Sequence, residues 1–207
     1  MRKFLLILVC LFAVTNVANA TDCGSDKECK ESLLYANISL PDNIGAKYCK
    51  ENKVNNISIV WSGVNDKRSN NELGILQKGK EESRILESKP VAELLNERVK
   101  DLLTRCGYNL NDKAKVNVGI NLDEFFADTK KGIIIGKTEA KSAITIDLRN
   151  AYRSYELNFS ASKEIKGFNG KKLSKLESSL SEVLVMVLEE FISSKQFVES
   201  VQELNKI

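Results

Sequence analysis

The sequence predicts an α+β domain: an antiparallel, meander-containing sheet with two amphipathic helices packed on one face. Three observations predict it. Val116, Val118, Ile120 and Leu122 alternate with polar residues, as do Tyr155, Leu157, Phe159 and Ala161, the pattern of strands with one buried face. Val91, Leu94, Leu95, Leu102, Leu103 and Cys106 recur at helical spacing, and so do Leu173, Leu176, Leu180, Val183, Leu184, Val187, Leu188 and Phe191. Short turn-forming segments separate the later strands, which favours antiparallel neighbours.

The first element is a segment that directs export. Arg2 and Lys3 precede an apolar run over residues 4–14, and Ala18-Asn19-Ala20 forms a small-x-small cleavage site. The run is about eleven residues, short of the roughly 20 that span a bilayer. Cleavage after Ala20 leaves 187 of the 207 residues, enough to bury a core. The expected location is the periplasm, in soluble form, with secretion as the alternative. Cys23 follows Ala20-Thr21-Asp22, and Asp22 is a poor residue before a lipid-modified cysteine. It is therefore read as not lipidated.

Composition narrows the function. Without Arg2 and Lys3 the formal charge falls from +3 to +1, which argues against a nucleic-acid partner. The chain contains no histidine, which removes Ser-His-Asp and Cys-His nucleophile systems and imidazole metal sites. No catalytic, cofactor or metal residues are expected, and no nucleotide. Cys23, Cys29, Cys49 and Cys106 remain after processing and allow three connectivities in an oxidising compartment. One is a small Cys23–Cys29 loop with Cys49 joined to Cys106. A buried free thiol at Cys106 is the alternative.

Residues 21–54 read as a polar, irregular extension with a turn at Pro41-Asp42-Asn43. Ile57, Ile59 and Trp61 mark a first strand. Residues 62–80 read as a hairpin or long loop, and residues 83–87 as a returning strand. Pro90 opens the first long helix and Gly107 ends it. Past strand 116–122, a turn at 128–132 leads to Ile133 and Ile135. Ala140, Ile144, Ile146 and Leu148 continue that strand in a different phase, which predicts a bulge over residues 136–139. Arg149-Asn150-Ala151 turns the chain into the last strand. Asn169-Gly170 precedes the closing helix, and a break at Ser193-Ser194 sets off Phe197, Val198, Val201 and Leu204.

Few constellations suggest chemistry. Gly132-Ile133-Ile134-Ile135-Gly136-Lys137-Thr138 is one residue short of a phosphate-binding loop, and its interior is strand-like. The pairs Glu81-Glu82, Asp123-Glu124 and Glu189-Glu190 are adjacent, so their side chains diverge. Asn37, Asn56 and Asn158 head glycosylation sequons that matter only in a host with that machinery. Lys163, Lys166, Lys171, Lys172 and Lys175 cluster around the start of the last helix, where cations oppose the helix dipole. They are candidates for contact with an anionic lipid or glycolipid surface.

Several short segments occur in an order that resembles the YajG family of bacterial envelope lipoproteins, over residues 56–204. They are the first strand with Asp66-Lys67-Arg68, the helix ending in Arg105-Cys106-Gly107-Tyr108, Phe126-Ala127-Asp128, Lys141-Ser142-Ala143-Ile144 and the long closing helix. The resemblance implies a non-catalytic periplasmic module that binds or scaffolds envelope components, with no catalytic residues to transfer. It gives Asp66 and Arg68 a structural role as a loop ion pair. A secreted or surface-exposed interaction protein is the alternative. The expected organisation is a signal over 1–20, an extension over 21–54 and the family domain over 55–207.

Overall fold

The computed structural model describes residues 32–52, 54–55, 57–78, 81–130, 136–167 and 172–206. In chain order these form β1 (Ser32–Ala36), α1 (Ala46–Glu51), β2 (Ile57–Asp66), β3 (Glu72–Lys78), β4 (Glu81–Glu87) and α2 (Val91–Arg105). There follow β5 (Tyr108–Leu110), β6 (Asn117–Lys130), β7 (Gly136–Arg149), β8 (Ser154–Gly167), α3 (Leu173–Ser193) and α4 (Lys195–Lys206).

The sheet is mixed, which corrects the antiparallel expectation. β3–β4, β6–β7 and β7–β8 are antiparallel, whereas β1–β4, β2–β5, β2–β6 and β3–β6 are parallel. The cause is α2. It carries the chain back across the sheet, so β5 and β6 start at the same end as β2. Turn signals report only sequence neighbours, and these parallel pairs are not neighbours in sequence.

β6 organises the sheet. One of its edges pairs with β7 from Asn117↔Arg149 to Lys130↔Lys137. Its other edge is shared in succession. β2 occupies Asn117 to Leu122, and β3 then takes Ala127 and Asp128. The handover from β2 to β3 requires a close approach at Gly74. Its φ is 148°, and a Cβ there would sit 1.9 Å from the Ala127 carbonyl oxygen. Gly74→Ala is therefore expected to lower the unfolding free energy, measured by urea titration, by more than ~1 kcal/mol.

Two other expectations change. Part of the segment read as irregular is ordered: β1 forms the sheet edge beside β4, and Ala36 is buried. Its buried-side positions, Leu34, Ala36, Ile38 and Leu40, alternate, but the exposed Leu33 and Tyr35 beside them blur the period. The predicted bulge at 136–139 is absent from the described part, since β7 pairs from Gly136 onward without a register shift. The shifts lie instead between Leu122 and Glu124 on β6 and between Trp61 and Gly63 on β2. Thr138 and Ser142 occupy buried positions in the same phase as Ala140, Ile144, Ile146 and Leu148. Thr138 meets the Thr129 hydroxyl across the pair at 3.3 Å, so two polar residues masked a continuous buried face. Ile133 and Ile135 lie outside the described residues.

α2 and α3 bury their apolar stripes against the sheet as expected. The break falls at Ser194, whose Oγ accepts the Phe197 N–H at 3.2 Å and starts α4. Phe191 and Phe197 meet edge to face, with ring centres 4.6 Å apart. Phe159 and Tyr108 extend this cluster into β8 and β5. A disulfide joins Cys49 of α1 to Cys106 at the end of α2, both buried, with Cα atoms 4.4 Å apart. Cys23 and Cys29 lie outside the described residues.

Candidate functional site

Because strand residues alternate between faces, the apolar positions of β6, β7 and β8 point to the helices and the polar positions to the other side. On that side a shallow cleft of about 380 Å³ opens where β2, β6, β7 and β8 run together. Ser62, Asn65, Asn121, Asp147, Arg149 and Tyr155 help to line it. Ser62 and Gly119 face each other across β2 and β6, and a side chain at Gly119 would fill the gap between them.

Asn121 is the centre of the cleft. It is only 4% exposed, and both ends of its amide are engaged. Asn65 Nδ2 donates to Asn121 Oδ1 at 3.2 Å, and Asn121 Nδ2 donates to Asp147 Oδ2 at 2.6 Å. A buried polar chain of this kind is rigid because each loss leaves a partner unsatisfied. Further along the same face the Thr145 hydroxyl donates to Asp123 Oδ2 at 2.7 Å and lies 2.8 Å from Asn158 Oδ1. Asp147 and Glu156 are directly opposite in register. Like charges in that position oppose folding, so this pair is not selected for sheet stability. The cleft offers fixed amides and carboxylates suited to hydroxyl, amide or ammonium groups. Among the described residues no cluster has the ligand set for a metal ion.

The Asp66–Arg68 pair lies at the corner where β2 hands over to β3, and it is more than a surface loop bridge. The Arg68 side chain is 6% exposed. Its Nε and Nη2 donate to the two oxygens of Asp66 at 2.9 and 2.6 Å, and Nη2 also reaches Glu87 Oε2 at 3.0 Å. Glu87 Oε2 in turn accepts the Val91 N–H at 3.1 Å, at the first turn of α2. The hydrogen bond from Arg68 holds the Asp66 carboxyl below its ordinary pKa. Asp66 of β2 and Glu87 of β4 thus meet on one buried guanidinium, and Glu87 ties it to the start of α2.

The basic cluster does not form one bare patch. Lys163 pairs with Glu182, and Lys166 with Glu164 at 3.0 Å. Glu164 also holds Lys137, whose hydrogen bond is the main cause of the lowered Glu164 pKa. Lys172 and Lys175 are exposed at the start of α3, and Lys171 lies outside the described residues. Gly136 to Thr138 belong to β7, while the rest of the phosphate-loop-like segment is outside the described residues. The cleft residues were not singled out from sequence. Asn121 stands between Ile120 and Leu122, and its only signal is that it occupies the non-core phase of an alternating strand.

The fold and cleft define a class: an α+β module whose mixed sheet is backed by helices and carries a polar opposite face. The chain belongs to a family described as "uncharacterized lipoprotein", whose model matches residues 48–202, in agreement with the YajG-like resemblance. Among solved structures, a protein of Xanthomonas campestris superposes with a TM-score of 0.57 at 10% identity, covering 85% of this chain and 100% of its own. A hypothetical protein of Chlamydia trachomatis does so with a TM-score of 0.44 at 9% identity, covering 72% of this chain and 98% of its own. Among proteins of curated function, none matches the sequence. No helix among the described residues is long and apolar enough to cross a membrane.

Proposed function

We propose that this is a non-catalytic binding or scaffolding protein of the bacterial envelope, exported to the periplasm and not lipidated at Cys23. The cleft over Asn65, Asn121 and Asp147 is its binding surface. The observation that carries this reading is the hydrogen-bonded chain through the buried Asn121, which fixes polar groups beneath an open face. Family membership supports the envelope setting. The absence of histidine and the engagement of the cleft's Asp147 in a hydrogen bond support binding over turnover.

Titration of the ¹⁵N-labelled protein with soluble peptidoglycan fragments and with lipopolysaccharide core oligosaccharide tests it. The side-chain amides of Asn65 and Asn121 are expected to shift with one of these probes, and Asn121→Leu is expected to weaken binding about tenfold or more, since it removes two buried hydrogen bonds. Mass spectrometry of the probe should show no cleavage product. Shifts confined to the helical side, or any product, overturn the proposal.

A further inference from the structure

β8 ends the sheet on one side. Among the described residues it pairs only with β7, and it runs for 14 residues. A strand of that length presents an open row of N–H and C=O groups, which natural proteins either block or use. Charged residues are the usual block. Here the charges of β8 are arranged about a centre, Ala161, and this arrangement matters when a second β8 is placed antiparallel beside it.

Consider a two-fold axis through Ala161, normal to the sheet. Ala161 then meets Ala161 of the second copy. On the helical side Leu157 meets Ile165, and Phe159 meets Lys163. On the cleft side Ser160 meets Ser162, Asn158 meets Glu164, and Glu156 meets Lys166. Each pair but the central one occurs twice. Residues directly opposite in an antiparallel pair point to the same side, so Leu157 abuts Ile165 and the polar and charged positions of the cleft side abut one another, while Lys163, which pairs with Glu182 of its own chain, lies beside Phe159. Moving the centre to Ser160 instead sets Glu156 against Glu164, two like charges directly opposite, which is unfavourable. The Ala161 register joins opposite charges and joins apolar side chains that are part-exposed at this edge, Ala161 and Ile165 among them.

We infer that β8 is a self-complementary edge through which two copies of this chain form an antiparallel, two-fold dimer with one continuous sheet. Both clefts then open on the same side of that sheet. The dimer does not depend on what the cleft binds.

The test is sedimentation velocity on the purified full chain over a range of concentrations, with charge-reversed variants. The wild type sediments as a dimer. Lys166→Glu alone and Glu156→Lys alone each raise the dimer dissociation constant about tenfold or more, because each turns two attractive pairs into two repulsive ones. The double variant Lys166→Glu/Glu156→Lys restores the dimer. Unchanged thermal midpoints show that the single variants still fold. In an independent arm, Ala161→Cys oxidises to a covalent dimer whose bridge, mapped by peptide mass spectrometry, is Cys at 161 to Cys at 161. A monomer at every concentration, a dimer that the double variant fails to restore, or an assembly without the 161–161 bridge overturns the inference.

Discussion

Replacing Cys49 and Cys106 by alanine is expected to lower stability by about 4 kcal/mol. The bridge spans 57 residues of sequence, and the chain-entropy model assigns a closed loop of that size roughly 4 kcal/mol through the unfolded state. For a domain of this size the thermal midpoint should fall by about 8–16 °C. The local consequence is as important as the global one. α1 has only six residues, far too few to persist alone, and Cys49 is its buried side chain. The helix reaches its place through Gly45, whose φ of 64° lets the backbone pass close to Leu102. Without the bridge, residues 37–52 should become the first site of proteolytic nicking. Urea titrations of the wild type with and without reductant, beside the double variant, check this. A shift below about 1 kcal/mol would remove the bridge from the account of stability.

Arg68→Ala is expected to cost about 3–5 kcal/mol, the range for removing one partner of a buried ion pair. The loss leaves Asp66 and Glu87 without their shared cation at the junction of β2, β4 and α2. Arg68→Lys should recover only part of it, because an ammonium cannot supply the parallel donors that grip both oxygens of Asp66. The pH dependence follows from the direction of the Asp66 shift. Its folded pKa is lowered from 3.8, chiefly by the hydrogen bond from Arg68. The resulting stabilisation is complete above the unfolded value and is lost as pH falls through the lower, folded one. The gap between wild type and Arg68→Ala in urea midpoint should therefore be wide at about pH 7 and narrower at about pH 3. Equal gaps at both pH values would show that Asp66 titration is not part of the clamp.

Much of this architecture was readable from residue type and spacing. Leu95, Leu102, Leu180 and Leu188 lie on helical stripes, and Val118, Ile120, Ile144 and Ile146 on alternating strands, because burial demands those periods. Pairing direction was not readable, since nothing local in Val60 or Ile59 states that their neighbours are Asn117 and Leu110. The bulge on β7 was misplaced because Thr138 and Ser142 take core positions that apolar residues usually fill. The cleft stayed hidden for a related reason. Asn65 and Asn121 look like ordinary solvent-facing residues until two distant strands set their amides 3.2 Å apart. Arg68 was noticed through the family pattern, but its burial depends on Glu87 and on the start of α2, which sequence distance conceals.

The shared edge of β6 also sets a timetable. A chain is made from its N-terminus, so β2 and the β3–β4 hairpin exist before the strand on which both must dock. Asn65 waits for a partner 56 residues downstream. At a synthesis rate of roughly 5–20 residues per second that wait is about 3–11 s, long compared with the microseconds a hairpin needs. Until then Ile59, Leu73, Leu76 and Ile85, all buried in the finished sheet, lack the central strand that completes it. The strand at the middle of the sheet therefore decides when its older neighbours can close.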